Sequence, residues 1–171
     1  MTWVSIWLKP LVERVWSDTL EWEEVQWLGE RVRVFDVGET SVYDMVVGGL
    51  CRRQRIAGGE LPETTMDAVM CGVKVGSEAV RVNGSLLDRE TQRMINRCCE
   101  RMIRGQLHEV ALLDYHLKGR SLPETYQRFI DKYEMLNNEL TVEALKKERL
   151  RKYKDIENTL IADTLNVVRI I

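Results

Sequence analysis

Leu107-His108-Glu109-Val110-Ala111-Leu112-Leu113-Asp114-Tyr115-His116-Leu117-Lys118-Gly119-Arg120-Ser121-Leu122-Pro123-Glu124 reads as two helices meeting at a turn. Leu107, Val110, Ala111, Leu112, Leu113 and Leu117 supply the apolar stripe of the first helix. Lys118-Gly119-Arg120 stops it, because glycine tolerates the left-handed backbone with which helices commonly end. Ser121 and Glu124 fit a capping box, and Pro123 stands in the first turn, where its missing N–H does no harm, so a new helix begins at once. Helices joined by so short a turn must cross. Leu136-Asn137-Asn138-Glu139-Leu140 then breaks the pattern, and Thr141 can cap a third helix. Lys146, Lys147, Arg149, Arg151, Lys152 and Lys154 crowd the front of that helix around the single acid Glu148, while Tyr153, Ile156, Leu160, Ile161, Leu165 and Val168 repeat at helical spacing behind it. A basic run is usually a solvated face. Presented by a compact helical unit, it also suits nucleic acid.

The 171 residues make one domain, or one domain with an arm, and 44% hydrophobic content is enough for a core. Net charge is only -2, yet it is segregated: four basic and nine acidic residues over 1–50, ten and seven over 51–104, eleven of each over 105–171. Such an asymmetry suits a protein that meets a polyanion with one face and something else with another. Cys51, Cys71, Cys98 and Cys99 lack C-x-x-C spacing, and with only His108 and His116 as imidazoles no metal or cofactor site is expected. The apolar start Met1–Leu8 is short, has no basic leader and runs into Lys9-Pro10, so neither a signal peptide nor a membrane span is expected, and the cytosol is the expected compartment. Phosphate loops, a nucleophile elbow and H-E-x-x-H are all missing, and Asp114 near His116 has no evident nucleophile, so no catalytic residue is assigned.

All five tryptophans fall within residues 1–31. Trp3 and Trp7 lie four apart, with Leu11, Val15 and Trp16 continuing a helical pattern, and a second helix is expected from Asp18 or Thr19 with Glu21, Glu23 and Glu24 at its positive end. Tryptophans at helical spacing are usually core; the rival is a protein-docking surface formed by Trp3, Trp7, Trp22 and Trp27. Arg31–Phe35 alternates as a short strand, Ser41–Asp44 opens a helix, and Pro62–Cys71 reads as another. Val73–Val75 and Ala79–Val82 form a small hairpin across Gly76-Ser77-Glu78. Over Asp88–Arg104 a helix buries Met94, Ile95, Cys98, Met102 and Ile103, beside a ridge of Arg89, Arg93, Arg97 and Arg101. That ridge is a salt-bridged solvent face or a phosphate-gripping one.

Glu109–Leu122 resembles the passage of helix, aromatic, Gly, x, Ser in helix-turn-helix units of the sigma-factor region 4 type, a family that includes the Q-type late-gene antiterminators of lambda-like phages. Asp155–Asp163 is similar to the closing helix of those antiterminators, and the arginine-bearing helix stands where their first helix stands; the resemblance covers roughly Asp88 to Val168 and leaves the tryptophan-rich half outside it. It implies a regulator that binds a DNA element near a late promoter, joins RNA polymerase there and carries it through terminators, in the cytoplasm of a host cell if phage-encoded. It puts Arg120 and Ser121 at the turn, and Lys146, Lys147, Arg149, Arg151, Lys152 and Lys154 on the reading or backbone-gripping helix. Arg93, Arg97 and Arg101 join the expected DNA contacts through their ridge.

The expected fold is mainly α: a helical bundle with a helix-turn-helix unit and a small β-hairpin. It divides into an acidic tryptophan-rich part over 1–60, a helix and hairpin arm over 61–87, and a DNA-binding unit over 88–171. The expected function is antitermination, with double-stranded DNA and RNA polymerase as partners and no membrane. The alternatives are a DNA-binding repressor or activator, self-associated through the apolar end Asn166–Ile171, and a helical adaptor that binds protein alone.

Overall fold

The computed structural model describes residues 2–38, 42–53, 68–75, 85–135 and 140–152. In chain order the elements are β1 (Thr2–Leu8), α1 (Pro10–Thr19), β2 (Glu21–Trp27), β3 (Glu30–Asp36), α2 (Val42–Arg53), β4 (Val69–Val75), β5 (Ser85–Leu86), α3 (Arg89–Lys118), α4 (Leu122–Lys132) and α5 (Val142–Lys152). They fall into two compact units that part within α3, between Ile103 and Arg104. The first is built on a five-stranded mixed sheet in the order β2-β3-β4-β1-β5. This overturns the expectation of a mainly α helical bundle with a small hairpin.

The Trp3–Trp7 stretch shows why. Residues four apart share a face in a strand as well as in a helix. In β1, Trp3, Ser5 and Trp7 take one face and Val4, Ile6 and Leu8 the other, and all but half-buried Trp7 are buried. A strand buried on both faces shows no alternation of polarity, so period alone cannot separate it from a helix. The helix expected from Asp18 or Thr19 is likewise a strand, β2, paired antiparallel with β3. The strand expected over Arg31–Phe35 is present as β3. In place of the helix expected to end at Cys71, Val69–Val75 is a strand, antiparallel to β1 and parallel to β3. Its expected hairpin partner, Ala79–Val82, lies outside the described residues, as does the start of the helix expected from Pro62.

Side-chain packing on the sheet turns on two sites. Gly72 of β4 has no Cβ because none fits: one built there would stand 2.7 Å from the Trp3 ring and 2.8 Å from a Val34 methyl. Trp3 therefore lies across β4, with Trp27 edge-on at a 5.2 Å centroid distance. From α1, fully buried Trp16 meets Phe35 of β3 and Tyr43 of α2 edge to face. Beside it the buried Glu13 carboxylate holds the Arg33 guanidinium and accepts from Ser17 Oγ at 3.0 Å.

The open side of β1 is closed in two stages. Over Val4 and Ser5 it pairs with β5, and Leu87 N–H donates to Ser5 O at 3.3 Å. Beyond that, two side chains of α3 take the place of a strand. Gln92 Oε1 accepts Trp7 N–H (3.1 Å), Asn96 Oδ1 accepts Lys9 N–H (2.8 Å), and Asn96 Nδ2 donates to Trp7 O (2.8 Å). One turn on, Glu100 takes Lys9 Nζ at 3.1 Å. These bonds shift the buried face of α3 to Gln92, Ile95, Asn96, Cys99 and Ile103, leaving Met94 exposed and Cys98 half-buried, where the apolar pattern puts both inside. The two helices expected over Asp88–Arg104 and Leu107–Leu117 are one continuous element.

Asn96→Leu keeps the volume but strands the Trp7 carbonyl and the Lys9 N–H; unfolding in urea should show a loss of about 2–4 kcal/mol. The β2–β3 turn is Leu28-Gly29 with φ of 50° and 86°, a two-residue hairpin turn in which leucine is the unfavourable residue. Leu28 is 86% exposed, so Leu28→Asn should raise stability by about 0.5–1 kcal/mol in the same assay.

Candidate nucleic-acid interface

The second unit is made of the C-terminal part of α3 with α4 and α5. α3 ends at Gly119 (φ 65°), whose N–H donates to Tyr115 O at 3.1 Å. Ser121 then caps α4: its Oγ accepts Glu124 N–H at 3.4 Å, and Pro123 stands in the first turn. This is the stop and restart that Gly119 and the Ser121/Glu124 pair announce in the sequence. Between α4 and α5 lie residues 133–141, a longer connection than the three or four residues of a minimal helix-turn-helix turn.

A buried polar pair joins α3 to α4. His108 (1% exposed) and Tyr126 (fully buried) stand with Nδ1 and the phenol oxygen 2.8 Å apart and their rings edge to face. Leu107, Ala111, Ile130, Tyr133, Met135, Leu140 and Leu145 complete the buried interior. α5 is tied down by Arg104, which reaches Glu148 at 3.2 Å, and is capped by Thr141, whose Oγ1 accepts Ala144 N–H at 3.1 Å.

The residues expected at DNA divide by what they touch. Arg120 is held by Asp114 (2.7 Å) and approaches Glu124 (3.6 Å), and Ser121 serves as the cap, so both side chains build the turn. On α5, Lys146 bonds Glu143 at 2.8 Å and Arg149 is half-buried. Glu143, Ala144, Lys147, Leu150 and Arg151 form its exposed stripe. Of the expected contacts, Lys147 and Arg151 are thus the described cations on the outward face of this helix. Lys152 is its last residue, and Lys154, with the apolar repeat from Tyr153 to Val168, lies outside the described residues. Arg93, Arg97 and Arg101 belong to the first unit, where they are exposed on α3 with no ion pair among the described residues. Sequence reasoning passed over Ala144 and Glu143, which share the outward stripe; the helical spacing 143, 144, 147, 151 was the available signal.

Of the tryptophans expected to meet a protein, Trp3 is buried, Trp7 and Trp27 are half-buried, and Trp22 is 43% exposed. The Trp22 ring carries the Arg33 guanidinium 5.2 Å from its centroid, and its Nε1 donates to Ser17 O at 3.3 Å. Burial pushes the thiol of Cys51 up to about 11 and those of Cys71 and Cys99 up to about 12, far from the thiolate a nucleophile or metal ligand requires. Among the described residues no helix is long and apolar enough to cross a membrane. No protein-family model, curated protein or solved structure matches the chain.

Asp114 is the charged centre of the turn. Its bond from Lys118 and then that from Arg120 hold its carboxyl below the ordinary 3.8. A carboxylate with a lowered pKa in the fold stabilises it above the ordinary value and loses that contribution as pH falls through the folded one. Asp114→Asn should therefore lower Tm at pH 7, and the gap to the unaltered protein should narrow as pH drops below 3.8.

Proposed function

We propose that this chain is a DNA-binding transcription regulator, and specifically an antitermination factor that engages a DNA element through its second unit and RNA polymerase through its first. The observation that carries the DNA-binding part is the outward stripe of α5. Lys147 and Arg151 lie on it beside the small Ala144, in a helix that follows a capped helix and a glycine turn. Two long cations one and two turns beyond a small residue suit a helix lying along a groove: the cations reach phosphate while the alanine lets the backbone approach base edges. The assignment to antitermination and to polymerase rests on the resemblance of Glu109–Leu122 and Asp155–Asp163, and on the acidic, tryptophan-bearing character of residues 1–50. Arg93, Arg97 and Arg101, exposed on the first unit, are a separate candidate for phosphate contact.

A protein-only adaptor is the second reading. Val110, Leu113 and Leu117 favour it, because they form one exposed stripe along α3 of the kind that packs on another protein. Salt separates the two, since phosphate binding releases counterions and apolar docking does not.

Affinity for mixed-sequence duplex DNA should fall steeply between low and moderate salt. The double variant Lys147→Ala/Arg151→Ala should weaken binding across sequences and flatten the log–log salt slope by about 0.9 for each phosphate that goes unneutralised. Fluorescence anisotropy at several salt concentrations measures both. A folded protein that leaves duplex DNA unbound at low salt would refute the DNA-binding reading.

A further inference from the structure

The edge of the sheet at β2 carries an inference separate from the reading of α5. β2 is the terminal strand: it pairs with β3 along its whole length, and among the described residues no strand lies along its other side. Its register shows which backbone groups face outward. Trp27 and Glu30 flank the two-residue turn and form a hydrogen-bonded pair, so pairs alternate from there down the ladder. Trp27, Val25, Glu23 and Glu21 direct N–H and C=O toward β3. Trp22, Glu24 and Gln26 direct theirs away from it, and all three residues are exposed.

A seven-residue edge is a template for another strand, and natural sheets usually shorten, bulge, cover or charge such edges. Here it is left long and charged. Glu21, Glu23 and Glu24 are all exposed; Glu23 is met by Lys74 at 3.3 Å and Glu24 by Arg31 at 3.8 Å, too few cations to neutralise the strand. A second copy pairing edge to edge would bring glutamates within cross-strand reach of glutamates, which disfavours self-association. Phosphate would meet the same repulsion. A strand with alternate Lys or Arg residues gains what those partners lose, and the exposed Trp22 ring offers its side chains an apolar surface.

We propose that the open edge of β2 is a docking site for an extended, basic segment of a partner protein, which adds to the sheet as a further strand. Hydrogen bonds to Trp22, Glu24 and Gln26 hold it, and the glutamates select its charge.

The test uses the full chain and an acetylated, amidated heptapeptide of sequence Lys-Thr-Lys-Val-Lys-Thr-Lys. Two further versions carry backbone N-methyl groups, one on the lysines and one on the residues between them. Charge is identical in all three. Strand addition predicts that one methylation pattern weakens binding at least about tenfold while the other is tolerated, because only alternate amides face β2. Glu24→Pro removes one outward N–H and leaves the ladder to β3 intact, so peptide binding should fall with Tm and far-UV circular dichroism little changed. Amide exchange at Trp22, Glu24 and Gln26 should slow on adding the peptide. Equal binding of both methylated peptides, binding unaffected by Glu24→Pro, no binding by the folded protein, or amides already protected in the free chain would each overturn the proposal. None of these results bears on DNA binding by α5.

Discussion

The first unit depends on a substitution of side chain for strand. β1 is central and buried, and its outer edge outruns the two-residue β5 by the length of Trp7 to Lys9. Buried backbone groups without partners cost as much as lost hydrogen bonds, so something must meet them. Gln92 and Asn96, one helical turn apart and 4% and 5% exposed, supply amides that both donate and accept, as a peptide group does. Their spacing matches the helix and their targets match the strand, so α3 is held in one register along β1, and Glu100 repeats the contact at Lys9. Leucine at either position would satisfy the hydrophobic pattern and fail the strand.

With β1 so held, the rest of the sheet follows from volume. Gly72 leaves room for the Trp3 ring between β1 and β3, and Trp27 closes on that ring from the end of β2. Trp16 ties α1 to β3 and α2, and the Glu13–Arg33 pair lets α1 cross the β2–β3 end of the sheet with its acid buried and partnered. Of the four tryptophans named as a rival docking surface, Trp3 is buried in the packing of the sheet and Trp7 and Trp27 are half-buried. Trp22, at the strand with the open edge, is the one of them most accessible to a partner.

In the second unit the charged residues divide between building and presenting. Asp114 gathers Lys118 and Arg120 at the turn, Glu148 holds Arg104, and Glu143 holds Lys146. What remains outward on α5 is a narrower set than the run of six basic residues promises, with Lys147 and Arg151 at its centre. That narrowing is a geometric consequence of helical pitch: of six cations in nine positions, some must face the helices behind them.

The chain by itself determined its local punctuation. Gly119 requires a left-handed stop, Ser121 and Glu124 a capped start, and both are decided by backbone sterics and hydrogen bonds between near neighbours in the chain. The alternation of Arg31–Phe35 likewise marks β3 from a short window. Tertiary structure decided what those windows cannot hold. Trp3 and Trp7 share a face under either period, so only pairing with Val69–Val75, far along the chain, makes their segment a strand. Gln92 and Asn96 look like misplaced polar residues on a helix until a strand edge stands opposite them. Which cations of α5 face outward was settled by Leu145 and Glu148 packing inward, a choice that belongs to the partner helices and to no property of the basic run itself.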